Sequence, residues 1–289
     1  MHARIVIVVN PERREELALL LDELDDTCDV ALVEPDGADD LPEAARDAAS
    51  SAHVVAAIGG DGTQRSAAHV LRGTDAALAV VPGGTVNLLA RVLGLATVAD
   101  AARAIEGGRR RTIDTGLVGD ETFVLNASTG YDAVVMRRVD EGAKRWGRLG
   151  YFVTGLRTLW SHRPRHTDVV IDGTPFYRGR AMTVMVTNIV QRGAADFTVA
   201  LGGAADDGLL DVVVQRCDTV PSTARTLWAL SRERTPRDDD LLIGHGRTVD
   251  VSWSVPVASQ RDGDAAADIT SAHYEVDEAS LVVCVPVTD

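Results

Sequence analysis

The stretch Val54-Val55-Ala56-Ala57-Ile58-Gly59-Gly60-Asp61-Gly62-Thr63 decides how the chain is read. A short apolar run stopped by two glycines predicts a buried parallel strand, and Gln64-Arg65-Ser66-Ala67-Ala68 predicts the first turns of a helix. The motif is therefore a strand-to-helix loop. Gly59, Gly60 and Gly62 remove the Cβ atoms that keep a ligand off the backbone, so the loop amides and the helix start can meet a phosphate. Asp61 is the one carboxylate of the loop, and an acid beside a phosphate needs a cation between them, which points to Mg²⁺. A tight turn with a capping Asp or Thr has the same sequence, so the neighbouring segments have to decide.

Outward from this loop, the first third alternates strand and helix patterns. Ala3 to Val9, Val30 to Val33 and Leu78 to Val81 read as strands, while Glu15 to Leu24, Pro42 to Ser51 and Leu88 to Leu93 read as helices. Such alternation predicts right-handed crossovers and a mainly parallel sheet, with ligands at the carboxyl ends of the strands. Asn10, Gly59 to Thr63, and Pro82-Gly83-Gly84-Thr85-Val86-Asn87 all follow strand ends. The second loop repeats the logic of the first: two glycines for close approach, the Thr85 hydroxyl, and Asn87 to cap a helix or bond a ligand.

After about residue 122 the pattern changes to strands separated by Gly, Pro and Asp turns. The fold class is α/β: a Rossmann-like domain over residues 1–122 with a mainly parallel sheet, then a β-rich, sandwich-like domain over 123–277. A helix spans Ser222 to Ser231, and an amphipathic one carries Trp146, Leu149, Val153, Leu156 and Trp160 as a stripe expected to be buried against a sheet. Around it Arg137, Arg138, Lys144, Arg145, Arg148, Arg157, Arg163 and Arg165 outnumber Asp140 and Glu141, which suits a solvated face or a surface for phosphates or lipid head groups.

The chain of 289 residues is long enough for two cores, and its net charge of -14 argues against general nucleic-acid binding and against bulk attraction to an anionic membrane, although local charge can oppose the global sign. It has no apolar run of membrane-spanning length and no signal-peptide pattern, so the cytoplasm is the expected compartment. Cys28, Cys217 and Cys284 are too scattered for a disulfide framework or a zinc site.

Three further groups could carry chemistry. Asp206-Asp207-Gly208-Leu209-Leu210-Asp211 is an Asp-Gly turn whose acids and carbonyls suit a hard cation. Arg261-Asp262-Gly263-Asp264 offers late carboxylates able to accept a substrate proton. Asn126, Gly130 and Asp132 lie at the expected domain boundary, where an interdomain cleft would bring Asp132 near the glycine loops.

Taken in order, Asn10-Pro11, Gly59 to Thr63, Gly84 to Asn87 with Ala90-Arg91, Gly130-Tyr131-Asp132, Asp207 to Asp211 and Asp262-Gly263-Asp264 resemble the diacylglycerol kinase catalytic-domain family, above all its bacterial soluble lipid kinases. The resemblance implies a nucleotide-binding domain and a lipid-binding domain, with the active site in their cleft and the last strand, about 278–289, returning to the first. It implies that Asn10, Gly59, Gly60, Asp61, Gly62, Thr63, Gly84, Thr85 and Asn87 hold ATP, with Asp61 near a catalytic Mg²⁺. Asp262 is matched to the general base, Asp264 stands where the family has Glu, and Asp132 supports them. A structural Mg²⁺ would sit at the Asp207 carboxylate and the carbonyls of Ala204 and Leu209. The partner implied is a lipid substrate at the membrane surface, met by a cytoplasmic protein without a transmembrane segment and compatible with a homodimer.

The chain also departs from the family pattern. Arg13-Arg14 replace the usual Ser-Gly near the N-terminus, Leu88 replaces an Asp or Asn, and Asp264 is shorter than Glu by one methylene. The leading expectation is an ATP-dependent lipid kinase acting on diacylglycerol or a relative. The alternatives are an NAD kinase-like enzyme and a nucleotide- or lipid-binding protein without catalysis.

Overall fold

A computed structural model describes residues 4–25, 28–37, 40–84, 87–139, 148–189, 204–216, 222, 225 and 240–287. The chain divides into two units, Met1–Asp114 with Glu278–Asp289, and Thr115–Asp277. The second begins ahead of the boundary expected at 123.

In the first unit, strands β1 (Arg4–Val9), β2 (Asp29–Val33), β3 (Val54–Gly59) and β4 (Ala77–Pro82) run parallel in the order β4-β3-β1-β2. Register pairs such as Val6 with Val55 and Val55 with Leu78 align their carboxyl ends. Every residue of β3 and β4 is buried, as their unbroken apolar sequence requires. Helices α1 (Arg14–Glu23), α2 (Leu41–Ala49), α3 (Asp61–Leu71), α4 (Leu88–Val92) and α5 (Val98–Glu106) belong to the same unit. Helix α3 buries Gln64, Ala67, Ala68 and Leu71, one face at helical spacing. Helix α5 opens on a capping box in which Thr97 Oγ1 accepts from Asp100 N and Asp100 Oδ2 accepts from Thr97 N.

The second unit is mostly antiparallel, holding β6 (Glu121–Phe123), β7 (Asn126–Gly130), β8 (Arg165–Ile171), β9 (Thr174–Ala181), β10 (Thr183–Thr187), β11 (Leu210–Gln215), β12 (Leu241–Gly246) and β13 (Thr248–Arg261). β5 (Arg110–Val118) ends in it and β14 (Asp264–Cys284) begins in it. The ladder runs β12-β11-β10-β7-β13, and β8 pairs on β13 and β9. Along β13 the alternation of Val249, Val251 and Trp253 inward with Asp250 and Ser252 outward is what a half-buried antiparallel strand demands. The core gathers Phe123, Val169, Val184, Val212 and Tyr274 around Trp253, whose Nε1 donates to Thr129 Oγ1 at 3.2 Å. The expected α/β class, with a parallel N-terminal sheet and a β-rich C-terminal part, is the observed one.

The end of β14 belongs to the first unit, where Val283 pairs parallel with Leu78 and Asp114 Oδ1 accepts from Ala279 N at 2.7 Å.

Helices α6 (Tyr131–Arg138) and α7 (Arg148–Ser161) also belong to the second unit. Here one expectation is overturned. The α7 residues Val153, Leu156 and Trp160 are exposed, at 38%, 42% and 72%, and the face turned inward carries Gly155, Thr158 and Leu159. Trp146, Thr85 and all of Ser222 to Ser231 except 222 and 225 lie outside the described residues. Among the described residues no helix is long and apolar enough to cross a membrane.

Candidate functional site

In the first unit, the two glycine loops touch. β3 and β4 end side by side, with Gly59 opposite Pro82. Gly83 N donates to Gly59 O at 2.9 Å. A Cβ on Gly84 would lie 2.6 Å from Gly60 Cα and 2.9 Å from Asn87 Oδ1, and one on Gly83 would lie 3.2 Å from Gly59 Cα. These glycines thus serve loop-on-loop packing, leaving a surface made of backbone at the carboxyl ends of two parallel strands. The first-turn amides of α3, which have no intrahelical acceptors, begin at this surface.

The polar side chains around the loops hold them in shape. Asn87 sits in the left-handed region at φ 50°, Asn87 Oδ1 accepts from Gly84 N, and Asn87 Nδ2 donates to Gly84 O, both at 2.7 Å. Asp61 Oδ1 accepts from Leu88 N at 2.5 Å, so the acid of the first loop caps the helix after the second. Asn10 N donates to Ile58 O, and Asn10 Oδ1 accepts from Glu12 N. Gly59, Gly60, Asp61, Gly62, Thr63, Gly84, Asn87 and Asn10 are thus gathered on one end of the sheet. Fully buried Gln64 donates from Nε2 to Gly59 O at 3.1 Å and to Val81 O at 3.4 Å, bridging the two strand ends. Its sequence signal was a polar residue on the apolar face of an alanine-rich helix.

The two unexpected arginines part ways. Arg14 meets Glu34 at 3.2 Å. Arg13 lies beside the second loop, its Cδ 3.5 Å from the position a Gly83 Cβ would take, and is 3.8 Å from Glu16.

In the second unit, Gln260 links Asp132 to the turn that carries Asp262. Gln260 Nε2 donates to Asn126 Oδ1 at 2.7 Å, Ser128 Oγ at 2.8 Å and Asp132 Oδ2 at 3.3 Å, while Gln260 Oε1 accepts from Gly263 N at 2.8 Å. Ser128 Oγ donates to Asp132 Oδ2 at 2.5 Å. Gly130, before helix α6, adopts φ 93°, and a Cβ there would strike the Met182 carbonyl. Burial pushes the Asp132 carboxyl above its ordinary range, and the hydrogen bonds from Ser128 and Gln260 oppose that rise.

Asp262 occupies the β13–β14 turn at φ 46°. Asp262 Oδ1 accepts from Leu125 N and Asn126 N at 2.8 and 2.9 Å, and Oδ2 accepts from Val124 N at 2.9 Å. Asp264 pairs with Arg261 across the turn and is exposed. Ser128 and Gln260 were missed in the sequence because single polar residues in strands carry no spacing pattern.

Asp207 lies in the turn ahead of β11. Its Oδ2 accepts from Ala204 N at 3.0 Å and its Oδ1 from Leu209 N at 3.1 Å. Burial and the Asp207 charge both raise the Asp211 carboxyl, with His245 opposing. Among the described residues no group of three or more His, Cys, Asp and Glu stands ready for a metal ion.

Residues 4–118 match the family model described as the diacylglycerol kinase catalytic domain, and residues 126–285 match the YegS C-terminal NAD kinase beta sandwich-like domain. The diacylglycerol kinase of Mycobacterium tuberculosis is 29% identical over 230 residues, covering 76% of this chain and 73% of its own. That of Bacillus subtilis is 28% identical over 233 residues, covering 78% and 76%. A crystal structure of a diacylglycerol kinase from Bacillus anthracis superposes with a TM-score of 0.81 at 19% identity, over 99% of this chain and 98% of that one. An NAD kinase from Archaeoglobus fulgidus shares the fold more distantly, with a TM-score of 0.54 at 13% identity over 98% and 94%.

Proposed function

This chain belongs to the family of diacylglycerol kinases and YegS-like lipid kinases, and from that premise we propose that it transfers the γ-phosphoryl group of ATP to a hydroxyl of diacylglycerol or a related lipid. The observation that carries the proposal is the contact of Gly59–Gly60 with Gly83–Gly84 at the ends of neighbouring parallel strands. A backbone surface of this kind, beside the amides of a helix start, suits phosphates and little else.

In this reading the loops and the α3 amides orient the phosphates, and Arg13 adds a guanidinium where the family has small residues. Mg²⁺ held at Asp61 would supply charge neutralisation for the transferring group. The acceptor oxygen bonds to the γ-phosphorus as the bond to the bridging oxygen breaks, ADP leaves, and the hydroxyl proton passes to a carboxylate of the Asp262–Gly263–Asp264 turn.

The hydrogen bonding of that turn supports giving its two carboxylates different roles. Asp262 already accepts three backbone N–H bonds, so its lone pairs are committed to shaping the turn. Exposed Asp264 is the better acceptor for the proton, with Asp262 and Asp132 holding its surroundings. Asp264→Asn should cut turnover by roughly a hundredfold or more and leave stability within about 0.5 kcal/mol, the range of ordinary surface changes.

ADP release is the measurement, with diacylglycerol, ceramide, sphingosine, phosphatidylglycerol and NAD as acceptors, with and without Mg²⁺. Release with a lipid supports the reading. Release with NAD alone replaces it by a nucleotide kinase, and tight ATP binding without release on any acceptor replaces it by a binding protein.

A further inference from the structure

Helix α7 turns its apolar stripe outward. Val153, Leu156 and Trp160 fall at i, i+3 and i+7 on one ridge, while Gly155, Thr158 and Leu159 pack inward. A helix whose inward face is already filled has no structural use for a second apolar face, and Trp160, 72% exposed, is the most exposed large apolar residue described.

The charge around this ridge is one-sided. Residues 148–166 contain four arginines and no acid, in a chain whose net charge is -14. Arg157 lies on the ridge between Val153 and Trp160, is exposed, and makes no ion pair among the described residues. At the C-terminal end of α7, Arg163 donates to the carbonyls of Trp160 and His162, Arg138 donates to Ser161 Oγ, and Arg180 donates to Pro164 O. All three side chains belong to exposed residues, as does Arg165. Screening confines electrostatics to roughly 8–10 Å at ordinary salt, so this local surplus outweighs the distant negative charge.

We infer that the Val153–Leu156–Trp160 ridge of α7 docks on an anionic lipid bilayer, with the apolar side chains entering the head-group boundary and the surrounding arginines meeting lipid phosphates. Trp favours that boundary, and Arg can bury its stem while its guanidinium stays with the phosphates. A second protein is a poorer occupant, because three side chains on one ridge offer far less than the about 800 Å² that each partner of a stable interface buries. The inference rests on the lipid-kinase reading only for why the protein visits a bilayer. The helix is also tied to the segment that carries Asp132: Tyr131 donates from its hydroxyl to Gly155 O on the inward face of α7 at 2.6 Å, and its ring stands edge-on to His162 at 5.7 Å.

The test uses the full chain, without ATP, and sedimentation with vesicles of mixed phosphatidylcholine and phosphatidylglycerol or of phosphatidylcholine alone. The wild type should prefer the anionic vesicles. Leu156→Asp with Trp160→Asp should weaken binding by about tenfold or more, and Arg157→Gln by roughly fivefold on anionic vesicles only. Unchanged melting temperatures would show that the variants remain folded, and Trp160→Phe should restore most binding.

Vesicle binding indifferent to these residues, or no binding by the wild type, overturns the inference. So does a dimer in vesicle-free solution that the double Asp variant dissociates, which would make the ridge an interface between copies. ADP release with short-chain diacylglycerol in detergent separates the two readings. If release persists while vesicle binding ignores α7, docking fails and the kinase stands. If vesicle binding depends on α7 but no lipid yields ADP, docking stands and the kinase fails.

Discussion

Around Gly59–Gly60 and Gly83–Gly84 the surface offered to a ligand is backbone, whereas around Asp132 and Asp262 it is side chains, Asp132 held by Ser128 and Gln260 and Asp262 by three backbone amides. The first kind of surface has no titratable edge and fails when volume is added. The second tolerates volume better but depends on every hydrogen-bond partner and on protonation. A phosphate cradle suits the first, because its ligand has a fixed charge. Proton handling requires the second.

The largest expected effect comes from forcing volume into the backbone surface. Gly84→Ala puts a methyl group 2.6 Å from Gly60 Cα, so the loops must separate at a cost of up to about 3 kcal/mol. ATP affinity by calorimetry should fall about tenfold or more through the same displacement. Gly60→Ala is the control, since its Cβ would meet Gly84 Cα at an ordinary 3.5 Å. If Gly60→Ala keeps the melting temperature but loses ATP, the ligand itself needs that space; equal loss of stability in both variants would break the distinction.

Asp262→Asn should cost about 2 kcal/mol in denaturant unfolding, because the amide turns one of three accepting positions into a donor facing a backbone N–H. Matched stabilities for the Asn variants at 262 and 264 would erase the division of roles in the turn. Gln260→Ala, at a residue 1% exposed, should cost about 1–2 kcal/mol. It should also push the Asp132 carboxyl higher still, because one of the bonds that lowers it is lost. Carboxyl titration by NMR reads that second effect, which a merely structural loss would not produce.

The smallest effect concerns pH. His162 is lowered to about 4 by burial first, then by the charges of Arg165 and Arg138. Above the ordinary histidine value of 6.5 it is neutral folded or unfolded. As pH falls from there toward 4, the unfolded chain takes up a proton that the folded chain refuses, so stability drops. Asp132 works in the opposite sense: its folded value is raised, so stability is gained as pH falls through it. His162→Gln should therefore flatten the acid limb of a stability–pH curve measured between pH 6.5 and 4, and an unchanged limb would remove His162 from the account.

The parallel sheet and its loops were legible in the sequence because β-branched runs ending in glycines state both a strand and its termination. Less legible was what each polar residue does there. Asp61 and Asn87 read equally as ligand contacts or caps, and the structure gives both a capping or clamping hydrogen bond. The stretch from about 95 to 122 held α5 and β5, although the Thr97–Asp100 capping box was a usable sign. The stripe on α7 was plain and its direction was not, because periodicity states that a helix has two faces and says nothing about which one meets neighbours.

The return of β14 to the first unit bears on how the protein is made. Val283 completes the sheet beside Leu78, while Gly94 abuts Pro286, so residues at the far end of the chain finish a structure begun at Arg4. During synthesis the N-terminal strands must wait, their β4 edge open, until residues as late as Val283 have left the ribosome. The first unit is then completed late, and a chain ending before Glu278 would carry every glycine of the loops without the end of β14 beside β4.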